Sequence, residues 1–133
     1  GFMKRYLLDT CVLIWLLNEN ERVKSLAEDI NYYQGDYAIS VESIKEFIYL
    51  VQSGKIDTDI TFDELVKALN KKQISIYGYD KYTLKTLYEL PFFRSHPDPS
   101  DRVIIAQAIA DKRILITGDL KFYNYQELQL IIV

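Results

Sequence analysis

Four acids stand where carboxylates could do chemistry together. Asp9 directly follows the apolar Tyr6-Leu7-Leu8 and precedes Thr10. Asp119 follows Ile114-Leu115-Ile116-Thr117-Gly118. Asp101 closes the run Asp98-Pro99-Ser100-Asp101, and Glu46 follows Ser40-Val41 on a candidate helix. Carboxylate oxygens are hard donors of the kind Mg²⁺ and Mn²⁺ take. Several such groups in one place repel one another and are costly to bury unpaired. A divalent cation removes that cost, polarises a phosphoryl oxygen and activates water for hydrolysis. Together these acids imply metal-assisted phosphodiester hydrolysis, with no acid acting as a covalent nucleophile.

Each acid alone has a plainer explanation. Asp9 suits the N-cap of a helix over residues 10–17. Asp119 suits a turn, or the cap of a short helix over 120–123. Asp98 at the N-cap, Pro99 just inside and Asp101 two positions on form an ordinary helix start, although Glu or Gln is the usual partner at Asp101's position. Glu46, from its spacing alone, reads more readily as a solvated surface residue with Glu42 one turn before it. Arg102 could pair with an acid or touch phosphate. His96 lies in a Pro-flanked loop without a partner in the sequence to orient it, so it reads as a loop residue. Cys11 reads as a small buried side chain.

The elements that must position these residues alternate. Strands are expected at 6–8, 37–39, 74–77, 113–117 and 128–133. Helices are expected at 10–17, at 21–33 on Val23, Leu26 and Ile30, and at 41–53 on Val41, Ile44, Ile48 and Val51. Gly54 stops that last helix. Further helices begin at Thr61, span 81–90 up to Pro91, and run from Asp98 to about Asp111. Phe47 and Phe62 read as core. Strands separated by helices predict an α/β fold with a parallel sheet covered on both faces. In such sheets the functional crevice lies at the carboxyl ends of the strands, where Asp9 and Asp119 would stand.

The chain has 133 residues, 49% hydrophobic and 26% charged, which suits one globular domain. Residues 3–133 read as that domain, with Gly1-Phe2 before Met3 as a cloning remnant. The net charge of −3 argues against a protein that coats nucleic acid by general attraction. A single cysteine excludes an intrachain disulfide and fits a reducing, cytoplasmic setting. No apolar stretch approaches the roughly 20 residues a membrane span needs.

These residues resemble the PIN-domain family, and within it the VapC-type toxins of toxin–antitoxin pairs. The resemblance rests on Leu7-Leu8-Asp9-Thr10 with Trp15, on Ser40…Glu46…Gly54-Lys55, on Asp98-Pro99-Ser100-Asp101-Arg102 with Ala106-Gln107-Ala108, and on Thr117-Gly118-Asp119 with Phe122. It covers nearly the whole chain. It implies a three-layer α/β/α fold with a mostly parallel sheet and Mg²⁺- or Mn²⁺-dependent endoribonuclease activity. Asp9, Glu46, Asp101 and Asp119 would be the catalytic acids and metal ligands. Thr117 would support the site, with Thr10, Ser40, Asp98 and Arg102 in lesser roles. A homodimer and a cognate antitoxin are implied as well. Two positions depart from the family pattern: Cys11 replaces a frequent His, and Ser100 a frequent Phe.

Rival readings meet specific obstacles. A haloacid-dehalogenase-like phosphatase needs an Asp where Cys11 stands. A receiver or nucleotide-binding module lacks its acidic pair or glycine-rich loop. A catalytically silent PIN-fold interaction module remains the alternative, opposed by the presence of all four acids.

Overall fold

The computed structural model describes residues 3–133; Gly1 and Phe2, read above as a cloning remnant, lie outside them. Five strands alternate with helices along the chain. They are β1 (Arg5–Leu8), β2 (Asp36–Ser40), β3 (Ser75–Tyr77), β4 (Ile114–Thr117) and β5 (Leu130–Ile132). The α-helices are α1 (Thr10–Leu17), α2 (Lys24–Asn31), α3 (Val41–Gln52), α4 (Phe62–Lys71), α5 (Lys81–Glu89) and α6 (Pro99–Ala110). Short 3₁₀ helices occupy Glu21–Val23 and Leu120–Asn124.

The sheet order is β3-β2-β1-β4-β5 and every pairing is parallel. The central strands are buried on both faces, which is why they read as unbroken apolar runs. Alternation then sends neighbouring residues to opposite layers. Leu8, Ile39 and Ile116 join the core beneath α1 to α4. Leu7, Ala38 and Leu115 join the core shared with α6, Phe122 and Tyr125. The expected three-layer α/β/α architecture is observed. The chain builds outward from β1 to β3, then returns to lay β4 on the other side of β1. That reversal opens a crevice at the carboxyl ends of β1 and β4.

Three local expectations are corrected. The helix expected over 21–33 is a 3₁₀ turn followed by α2, and it ends before Tyr33, which takes a positive φ of 56°. On α3, Val41 and Ile48 face solvent, and the buried residues are Glu42, Ser43, Ile44 and Phe47. The buried face shares Ile44 with the expected stripe but is rotated from it, and Glu46, expected as a solvated residue, is half-buried at its edge. Phe62, expected in the core, is 58% exposed at the start of α4.

The helix that carries Glu46 is delimited at both ends. Ser40 caps it by accepting from the Glu42 N–H at 3.0 Å, and Gly54 takes φ 77° just past its end. Ser40 is fully buried. Ser40→Ala is expected to lower stability by about 1 kcal/mol, measured by urea denaturation.

Candidate metal centre

Each of the four acids arrives on a different element. Asp9 is the N-cap of α1, accepting from the Thr10 N–H at 2.8 Å. Asp119 caps the 3₁₀ helix after β4, accepting from the Lys121 N–H at 2.9 Å. Asp101 lies in the first turn of α6, its N–H donated to Asp98 Oδ1 at 2.9 Å. Capping and clustering are therefore the same arrangement: helix starts placed at the strand ends bring their capping acids together. Asp9, Asp101 and Asp119 each stand at a helix start, which favours negative charge, whereas Glu46 comes from the second turn of α3.

The acids gather in two overlapping groups that share Asp101, and Asp9 lies outside both. Ligand atoms of His96, Asp101 and Asp119 lie within 4.8 Å of each other, and so do those of Glu46, Asp98 and Asp101. Asp9 is 5% exposed and bonded by the Thr117 hydroxyl at 2.7 Å. Thr117 Oγ1 in turn accepts from the Asp119 N–H at 3.1 Å, so one threonine ties the acids of β1 and β4 together. The Cys11 thiol approaches Asp9 Oδ2 at 3.5 Å.

Charge crowding shows in the proton affinities. Burial pushes the Asp9 carboxyl up, against hydrogen bonds from Thr117, Thr10 and Cys11, and the Asp119 charge adds to the rise. Burial and then the charges of Asp101, Asp9 and Asp98 raise Glu46 to about 7. Burial raises Asp101 to about 6, with the His96 hydrogen bond opposing it. Among the described residues no Lys or Arg forms an ion pair with any of the four. The donor set is carboxylate oxygen, which fits a hard divalent cation. The buried Thr10 hydroxyl stands beside the Glu46 carboxyl and slightly offsets its rise, adding a neutral oxygen at the same place.

The remaining expected residues are placed differently. Ser40 spends its hydroxyl on the α3 cap rather than on the acids. Arg102 turns away, donating to Pro91 O at 2.8 Å and Leu90 O at 3.5 Å, with its guanidinium over the Phe92 ring. It holds the 91–97 loop instead of meeting an acid. Asp98 both caps α6 and contributes to the cluster.

Two residues escaped the sequence reading. His96 is 2% exposed, and its Nε2 lies 2.8 Å from Asp101 Oδ2. Its position five residues ahead of Asp101 was the available signal, since a loop folding back onto a helix start brings those positions together. Glu42 is also buried. It accepts from Ser100 Oγ at 3.1 Å and Tyr79 OH at 3.3 Å, and pairs with Lys45 at 2.9 Å. This hub joins the first turns of α3 and α6, which carry Glu46 and Asp101. Ser100, noted above as a departure from the family pattern, is thus a partner of Glu42.

Comparison with known proteins agrees with this geometry. The PIN domain family matches residues 6–128. Solved structures of the same fold include VapBC2 from Rickettsia felis bound to a DNA fragment from its promoter, with 19% identity, 96% of this chain and 97% of that chain covered, and a TM-score of 0.68. DNA-bound VapBC from Salmonella typhimurium is similar at 17% identity, with 98% of both chains covered and a TM-score of 0.66. A toxin–antitoxin complex from Klebsiella pneumoniae is similar at 17% identity, with 95% of both covered and a TM-score of 0.65. No curated protein matches the sequence. With the family matched over almost its entire length and the acids gathered at the switch point of its sheet, this chain belongs to the PIN domain family.

Proposed function

We propose that the protein is a VapC-type toxin, a Mg²⁺- or Mn²⁺-dependent endoribonuclease. The observation that carries this reading is the gathering of Glu46, Asp101 and Asp119 around shared ligand positions, with Asp9 near enough for its charge to be felt by Glu46 and Asp101, and with no Lys or Arg among the described residues paired to any of the four. These four residues hold the cation, with Asp98 at the rim. When bound, the cation supplies Lewis-acid polarisation of the phosphodiester and lowers the pKa of water. Thr117 fixes the Asp9 carboxylate so that its orientation is set before substrate arrives. The acidic pocket repels RNA until it is neutralised, which makes binding and cleavage conditional on metal.

The fold neighbours described as toxin–antitoxin complexes support a cognate antitoxin as partner. Exposed apolar side chains at Ile48 and Phe62, beside a groove between α3 and α4, suit a protein ligand. Leu84 and Tyr88, exposed one turn apart on α5, suit a second copy in a homodimer. No helix among the described residues is long and apolar enough to cross a membrane. We place the protein in the cytoplasm, with its RNA.

The test is incubation of purified protein with a pool of structured RNAs in Mg²⁺ or Mn²⁺, beside EDTA. Cleavage that requires the metal supports the reading. A folded protein that binds metal and cuts none of a broad pool favours the silent interaction module instead.

Metal affinity is also expected to depend on pH with a definite sign. Glu46 and Asp101 hold protons up to about 7 and about 6 in the metal-free fold. A cation must displace them, so affinity rises with pH and levels off above about 7. Between pH 7.5 and 6, Mn²⁺ affinity measured by calorimetry should fall about tenfold or more. Stability of the metal-free protein runs the other way. These carboxyls bind protons more tightly folded than unfolded, so their contribution is full at acid pH and is lost as pH rises from about 4 to about 7.

A further inference from the structure

We infer that His96 is a positioning residue for the cation site, holding one oxygen of Asp101 so that the other is left for the metal. The inference rests on the metal-nuclease reading. With Asp101 ionised, its carboxylate can only accept, so the 2.8 Å contact requires the proton on His96 Nε2. No other donor reaches the side chain of Asp101 among the described residues, and its second oxygen is therefore free of protein partners.

The imidazole is fixed from every side. Its ring lies 4.9 Å from the Phe122 ring at 39° and 5.7 Å from the Tyr125 ring at 66°. Phe93 meets Tyr125 edge-on at 5.1 Å, closing the cage. The backbone N–H of His96 donates to Phe93 O at 3.0 Å, fixing the residue that carries the ring. Arg102, one residue past Asp101, clamps Leu90 and Pro91 at the start of the same loop. The ring's Nδ1 is buried with no partner. A buried polar atom left unpaired is a cost, and it is tolerated here at the one histidine whose other nitrogen orients an acid. Phe122 and Tyr125 belong to the segment that Asp119 caps, so the element presenting one acid also builds the support of another.

The physical need is clear. Asp101 stands among Asp9, Asp98, Glu46 and Asp119, and like charges would swing a free carboxylate towards solvent. A lysine or arginine in the same place would also restrain it, but its fixed charge would compete with the cation. An imidazole N–H in an aromatic cage supplies direction. Partners behind a metal ligand of this kind are worth about 10- to 100-fold in metal affinity.

Two measurements on the full chain test this. His96 is the only histidine, so its ring nitrogens give an unambiguous long-range ¹H–¹⁵N spectrum. The expected result is the Nε2–H form in metal-free protein at pH 7.5, with signals that shift saturably on Mg²⁺ addition. The second measurement is Mn²⁺ titration calorimetry on variants. His96→Phe fills the cage without the donor and should weaken Mn²⁺ about 10- to 100-fold. His96→Gln, which restores an N–H at similar reach, should recover most of the loss. In an Asp101→Asn background His96→Phe should add little, because both act through one group. A folded His96→Phe protein with parental affinity overturns the inference, as does His96→Gln binding as poorly as His96→Phe. If His96→Phe does not fold, imidazole signals indifferent to saturating Mg²⁺ overturn it. A parent protein that binds neither ion overturns the metal site itself, and His96's role with it.

Discussion

Asp9→Asn is expected to lower metal-dependent RNA cleavage by about 10²–10³-fold while raising the thermal midpoint of the metal-free protein. Both effects have one cause. Asp9 is 5% exposed, and burial together with the Asp119 charge disfavours its ionised form. A carboxyl whose pKa is raised by folding weakens the fold as pH rises through that pKa, so a neutral amide relieves a penalty at pH 7. The geometry tolerates the change. Asn retains an acceptor for the Thr10 N–H and can donate to the Thr117 hydroxyl, which now donates to Asp9 at 2.7 Å. What is lost is one negative charge in a set that depends on a cation. Saturating Mn²⁺ should stabilise the parent through linkage and the variant far less. The check is a pair of thermal melts, with EDTA and with Mn²⁺, beside single-turnover cleavage. A variant that melts lower in EDTA would contradict the assigned cost of burying Asp9. A variant that cuts at the parental rate would remove Asp9 from the site.

The second large effect is structural and reaches the site from behind. Gly118→Ala is expected to destabilise the protein by roughly 1–3 kcal/mol. A methyl group at Gly118 would overlap the Trp15 ring, lying 2.6 Å from its Cζ3 and closer still to Cη2. The ring cannot retreat freely. Arg22 stacks on it at 4.1 Å and is tied by a 2.8 Å bond to Val133 O, beside β5. The backbone cannot retreat either, because its neighbours Thr117 and Asp119 are both committed to the acid cluster. The midpoint should fall by about 3–10 °C. Trp15 is the only tryptophan, so its fluorescence reports the displacement directly. Mn²⁺ affinity should fall in the same variant, since Asp119 is carried with the displaced turn. Parental stability with unchanged fluorescence would show that Trp15 has room the structure does not display.

How much of this was legible in advance follows the range of the forces involved. Strand and helix positions are set by apolar spacing, capping residues and glycine or proline stops within a few residues of one another. Expectations of that kind held: β1 ends at Leu8 before Asp9, Ser40 caps α3, Gly54 ends it, and Asp98-Pro99 opens α6. The placement of acids at strand ends was equally local. Their convergence needed only the rule that open parallel sheets build sites at their carboxyl edge.

The misreadings concern which face of an element its neighbours cover. Apolar spacing on α3 favoured a stripe of Val41, Ile44, Ile48 and Val51; Ile44 and Val51 do meet the core, yet packing buries Glu42 and Ser43 and leaves Val41 and Ile48 exposed. Glu42 can be buried because Ser100, 58 positions along the chain, supplies a donor, and a carboxylate with its bonds met pays less for desolvation. Phe62 stands exposed for the converse reason, at a helix start that nothing covers. Arg102 was drawn towards carbonyl oxygens of the preceding loop, and His96 towards Asp101, by contacts that exist only once the 91–97 loop folds back over α6. The amino-acid order alone determined the succession of strands and helices and marked the four acids as candidates, because those depend on near neighbours. Only the tertiary structure decided the strand order, the companions of each acid and the residue that aims Asp101, because burial and hydrogen bonding of polar groups depend on partners brought from far along the chain.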